Sequence, residues 1–129
     1  MHSDEKTLTG RFASCPESPN CVSSFAEESD TEHFIAPYIL DMTVQQCFSR
    51  LRLYLEQRKD AVIITAESDS YIHAVFTSGF FRFKDDVEFG FETAAGGVKV
   101  NISSRSRTGY SDLGVNRKRM EEIRAFLSE

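Results

Sequence analysis

Two short charged segments hold the residues best placed to do chemistry. In Asp85-Asp86-Val87-Glu88, Asp86 and Glu88 stand two apart, so both carboxylates share one face of an extended strand. Such a pair can bind a divalent cation or serve as general acid and base. In Arg105-Ser106-Arg107 the same spacing sets two guanidiniums on one face of a second strand. Thr108-Gly109-Tyr110-Ser111 then leads toward a helix start, where backbone N–H groups and Arg forks together favour a carboxylate or phosphate. A purely structural reading competes at both places. Asp86 and Glu88 would pair with Arg105 and Arg107 across neighbouring strands. Ser111 or Asp112 would cap the helix, with Gly109 and Gly114 supplying unusual backbone angles. These structural readings are the commoner outcome for residues of this kind.

Other chemistries find less support. A nucleophilic enzyme needs Cys or Ser with a His and an orienting acid. His73 is the one histidine in the interior of a predicted element, and no motif links it to Cys15, Cys21 or Cys47. It reads as a structural histidine. His2, His33 and His73 are too scattered to complete a zinc set with the cysteines. No phosphate-cradling G-x4-G-K-[ST] or dinucleotide G-x-G-x-x-G spacing occurs. Asn101-Ile102-Ser103 is a glycosylation sequon, but it falls inside a predicted strand.

The chain that must position these groups has 129 residues, 40% of them hydrophobic and 27% charged, which suits one ordinary folded domain. The net charge of −5 disfavours nucleic acid and anionic membrane as main partners. Charge is uneven, with 12 acidic and 6 basic side chains in residues 1–69 against 8 and 9 in residues 70–129. The basic cluster of the last third is Arg105, Arg107, Arg117, Lys118, Arg119 and Arg124. No stretch approaches the ~20 apolar residues of a spanning helix. No secretory run of ~7–15 apolar residues follows Met1, so the chain as written reads as cytoplasmic, or as exported or anchored if a segment was removed. Pro16 and Pro19 kink the loop between Cys15 and Cys21, and such a loop can close a disulfide. The odd count suits that bridge plus one buried thiol in an oxidising compartment, and free thiols otherwise.

Residues 1–33 are polar and read as an extended N-terminal arm of a single domain formed by residues 34–129. Residues 33–40 suit a short edge strand, since Pro37 cannot donate to a ladder. Thr43 with Gln46 makes a capping box, and Val44, Cys47, Phe48, Leu51, Tyr54 and Leu55 repeat at helical spacing. That helix ends near Lys59. Ala61–Glu67 is β-branched, Ser68-Asp69-Ser70 is a turn, and residues 71–78 resume strand character, with Phe80 to Lys84 continuing the strand if Gly79 bends rather than breaks it. Val87, Phe89 and Phe91 alternate with Asp86, Glu88 and Glu92, as do Val98, Val100 and Ile102 with Lys99, Asn101 and Ser103. A last helix covers Val115–Leu127, burying Met120, Ile123 and Leu127. The predicted core joins Phe48, Leu51, Leu55, Ile64, Val87, Phe89, Val100, Ile102, Ile123 and Leu127. The expected class is α+β: a curved antiparallel sheet of four to five strands with two helices packed on one face. A helix-grip arrangement that encloses a pocket is one variant.

Three segments, read together, carry a resemblance: Cys15-Pro16-Glu17-Ser18-Pro19-Asn20-Cys21-Val22-Ser23-Ser24, Phe83-Lys84-Asp85-Asp86-Val87-Glu88-Phe89, and residues 104–117 (SRSRTGYSDLGVNR). In this order they strongly resemble the uncharacterised family known as domain of unknown function 1499, over residues 10–127. The resemblance implies a compact domain of bacteria and plastids, often behind an export or anchoring segment, and no established activity. The expected function is a non-catalytic binding or accessory module for a small anionic or amphipathic ligand or a protein partner. The alternative is an enzyme of unknown reaction that uses the carboxylate-arginine face. Candidate ligand-binding residues are Asp86, Glu88, Arg105, Arg107, Tyr110 and Arg117. No metal, cofactor or catalytic residue is assigned.

Overall fold

The computed structural model describes residues 12–79, 82–109 and 112–129. Helix α1, Val44–Glu56, starts where Thr43 Oγ1 accepts from Gln46 N while Gln46 Oε1 accepts from Thr43 N. Its Cys47, Phe48, Leu51 and Leu55 are buried. Burial pushes the Cys47 thiol up to about 11, so it stays protonated as a small core hydrophobe. Helix α2, Val115–Leu127, buries Asn116, Met120, Ile123 and Leu127.

Six strands form one antiparallel sheet: β1 (Cys21–Ser23), β2 (Tyr38–Leu40), β3 (Ala61–Glu67), β4 (Tyr71–Thr77), β5 (Lys84–Ala94) and β6 (Gly97–Ser106). The order is β1-β6-β5-β4-β3, with β2 on the same side of β6 as β1 but further toward its start. The three hairpins β3-β4, β4-β5 and β5-β6 therefore make a meander. Gly97 is required by the close approach of β2, since a Cβ there would strike the Leu40 carbonyl. The inner face carries Ile72, Ala74, Phe76, Val87, Phe89, Phe91, Val98, Val100 and Ile102, in one cluster with the buried residues of both helices. The alternation that predicted β5 and β6 therefore holds, and the class is α+β with a curved sheet.

Two features depart from the sequence reading. The strand count is six because Cys21–Ser23, inside the segment read as an arm, pairs with Arg105, Ser104 and Ser103 of β6. Three residues are too few for an alternation pattern to show. Ile64, expected in the core, is 55% exposed. The register shifts between Ile63, opposite Ala74, and Thr65, opposite His73. This bulge turns Ile64 outward and leaves Ile63 packed against the core instead.

Cys15 and Cys21 form a disulfide, with Cα atoms 5.6 Å apart. Cys47 is the free cysteine. The bridge closes a loop of few residues, so reduction is expected to cost less than the ~3 kcal/mol associated with a 15-residue loop. Urea titrations with and without reductant check this.

The same loop is held by His33, whose Nε2 lies 2.9 Å from the Ser18 carbonyl and whose Nδ1 lies 2.8 Å from Asp30 Oδ2. The Ser18 carbonyl first, and Asp30 second, raise the imidazole above its usual value. A raised folded value stabilises fully below the unfolded pKa of ~6.5 and is lost as pH climbs through the folded one. The denaturation midpoint is thus expected to fall between about pH 6 and pH 8, and His33→Ala is expected to flatten that slope.

Candidate functional site

The register of β3 to β6 sets the outer face of the sheet, opposite the helices, in transverse rows. One row runs Val62, Val75, Asp86, Arg105, and ends on Cys21 of β1. The next runs Thr65, His73, Glu88, Ser103, Ser23. Alternation on β5 and β6 produces this, so carboxylates and guanidiniums from neighbouring strands meet.

Asp86 is the hub. Arg107 donates to it twice, from Nε to Oδ2 at 2.9 Å and from Nη2 to Oδ1 at 3.1 Å. His73 Nε2 lies 2.8 Å from Oδ1. The Arg107 bond above all, with His73 adding to it, holds the Asp86 carboxyl below its usual range. The Arg107 side chain remains 46% exposed. Arg105, directly opposite Asp86 and half-buried, makes no ion pair among the described residues. Lys84, two residues before Asp86 on the same face, donates from Nζ to Thr77 Oγ1 at 3.4 Å. Three cations thus share this face of β5 and β6 with Asp86 in a chain whose net charge is −5.

Glu88 goes elsewhere. It is 9% exposed, its Oε2 accepts from the Tyr71 hydroxyl, and its Oε1 accepts from Ser103 Oγ at 3.4 Å. Phe12 packs edge-on against Tyr71 and Phe25, closing this end of the face. Tyr110 lies outside the described residues. Arg117 stands apart from the Asp86 hub, on α2, where its Nη2 donates to the Thr31 and Glu32 carbonyls. It borders a cleft of about 380 Å³ with Pro19, Val22, Glu32, Asp112 and Lys118.

The start of α2 follows the capping reading. Gly114 occupies the cap with φ 80°, a left-handed angle that glycine adopts without strain, and Gly109 has φ 83°. Asp112 Oδ1 accepts from Gly114 N at 2.8 Å, and its Oδ2 accepts from Asn116 N at 3.1 Å. Ser111 is not among the described residues.

Matched over residues 11–127, the chain fits the model of a family described as protein of unknown function, DUF1499. The chain belongs to the DUF1499 family. No curated protein and no solved structure gives a match. The DUF1499 match spans both the outer face and the cap of α2.

Beneath the inner face lies a second polar group that the charge pattern did not reveal. Asp85, 2% exposed, meets Arg119 Nη2 at 2.8 Å. Arg119 Nη1 also donates to Ser104 Oγ at 3.2 Å and to Asn116 Oδ1 at 3.0 Å, with its guanidinium 4.7 Å from the centre of the Phe76 ring. Ser104 Oγ donates to Asn116 Oδ1, and Asn116 Nδ2 donates to the Asn20 carbonyl, Ser106 Oγ and Asp112 Oδ2. This network ties β5, β6, α2 and the disulfide loop together. Asn101 is likewise engaged: its Nδ2 donates to Glu92 Oε2 and its Oδ1 accepts from Ser24 Oγ.

Sequence reasoning missed His73 and Lys84 as neighbours of Asp86. Lys84 was within reach of the period-two rule that placed Asp86 and Glu88. His73 required the β4-β5 register, which no local pattern contains. Among the described residues no group of three or more His, Cys, Asp or Glu is placed to hold a metal ion, and no helix is long and apolar enough to cross a membrane.

Proposed function

We propose that the domain is a non-catalytic recognition module that takes a small anion at Arg105 and Arg107 on the outer face of the sheet. The observation that carries this reading is a guanidinium held in place yet open to solvent. Asp86, braced by His73, fixes the Arg107 fork, while half of the Arg107 side chain remains exposed. A carboxylate or phosphate meeting a preoriented Arg loses little rotamer freedom from the protein. Lys84 and Arg105 add charge that Asp86 alone does not balance. The structural work has a better-placed agent in the buried Asp85-Arg119 network, and an ion pair as exposed as Arg107-Asp86 contributes little to stability.

The alternative, an enzyme that uses this carboxylate-arginine face, draws on Glu88 beside the Tyr71 hydroxyl and the His73-Asp86 pair. Recognition is favoured because both Glu88 oxygens are taken by neighbouring hydroxyls and the residue is buried.

Titration with acetate and with inorganic phosphate, followed by calorimetry and by amide shifts of β6, tests the proposal. Arg107→Ala is expected to weaken anion binding roughly ten- to a hundredfold, the effect of losing a charge-assisted fork. Its thermal midpoint is expected to match that of the parent. Lost stability with no anion bound by either protein would instead make Arg107 a structural clamp.

A further inference from the structure

We propose that the anion held at Arg105 and Arg107 carries an aliphatic tail, which crosses the sheet to reach the exposed Val62 and Ile64 at the β3 edge. The inference rests on the anion reading above and adds the class of ligand, a free monomeric alkyl carboxylate.

The order of residues along one transverse row carries it. From β6 to β3 the row reads Arg105, Asp86, Val75, Val62, passing from charged to apolar across adjacent strands; Val75 is itself buried, so the open apolar surface is at Val62 and Ile64. The Asp86 carboxylate is engaged by Arg107 and His73, so it presents little free charge to a chain crossing above it. Val62 is 62% exposed, and the bulge places Ile64 outward beside it. Strand β3 is the last strand on its side of the sheet. Its first six residues contain neither charge nor Pro, although edge strands are usually guarded by one or the other. Phe12 covers the Tyr71 end of the face, so an apolar chain leaving the arginines has the Val62 end open to it.

Charge and length agree with this occupant. Lys84, Arg105 and Arg107 outnumber the Asp86 carboxylate, which suits an anionic head group. Three strand spacings separate Arg105 from Val62, about 14 Å. A chain of roughly ten carbons spans that distance at ordinary bond lengths.

The test compares acetate with decanoate, the latter below its micelle concentration, by calorimetry on the parent domain and three variants. Decanoate is expected to bind the parent about 30-fold more tightly than acetate, the gain from partly burying its methylenes. Val62→Glu is expected to return decanoate to the acetate level with acetate affinity unchanged, and Arg107→Ala to weaken both. Melting curves verify each fold, and Ile64→Glu serves as the second tail variant if Val62→Glu fails to fold. Equal affinity of the parent for the two probes would overturn the tail and leave the anion reading standing. Binding of neither would overturn both. A decanoate preference that survives Val62→Glu and Ile64→Glu would place the tail elsewhere and overturn this inference alone.

Discussion

Arg119→Met is expected to destabilise the domain by about 3–5 kcal/mol, the cost of leaving one member of a buried ion pair without the other. Asp85 sits on the inner face of β5, in line with Val87 and Phe89, and its neighbour across β4 is Phe76. Water does not reach it there, so the Arg119 guanidinium supplies its compensation. Removing the guanidinium also strips a donor from Ser104 and Asn116, which are both fully buried. Urea denaturation of the single variant measures the loss. The paired replacement Asp85→Leu with Arg119→Met is expected to recover much of it, since apolar residues of similar size often substitute for a buried pair at little cost. A single-variant loss below about 1 kcal/mol would mean that Asp85 finds solvent or another partner.

Phe89→Ala is the second large effect, with an expected loss of roughly 3–5 kcal/mol. Phe89 is fully buried and stands between Ile72 of β4 and Ile102 of β6, which are themselves fully buried. The deletion removes transfer energy and leaves a cavity that strands pinned on both sides cannot close. Thermal melts and urea titrations report it. A shift near zero would put Phe89 on the surface and imply that β5 is displaced by one residue, which would also turn Asp86 and Glu88 inward. One measurement therefore checks both the core and the face on which the proposed anion site stands.

Much of the proposed site was legible because a strand reports its faces locally. Asp86 and Glu88 alternate with Val87 and Phe89, and the hairpin turn at residues 94–97 makes β5 and β6 neighbours. Opposition of Asp86 to Arg105 follows from those two facts together with the register. What the pattern left ambiguous is which cation reaches the carboxylate. Arg107 makes the fork although Arg105 stands opposite, because a long side chain reaches diagonally across a twisted pair. Glu88 looked equivalent to Asp86 by spacing, yet Tyr71 and Ser103 enclose it.

Elements whose signals are short-range could be read directly from the residues. These are the Thr43-Gln46 capping box, the buried stripes of both helices, the alternation of β5 and β6 and the order of the hairpin meander. From these the α+β class followed, because amphipathic elements in that order must share one apolar face. The remaining features depend on the folded chain. Strand β1 exists because β6 offers it an edge; the bulge at Ile64 exists because β3 must keep register with β4. Asp85 is tolerated inside because Arg119, far along the chain, reaches it from α2. Each depends on groups distant in sequence, and a local pattern carries no information about which distant partner will satisfy a given strand edge or buried charge.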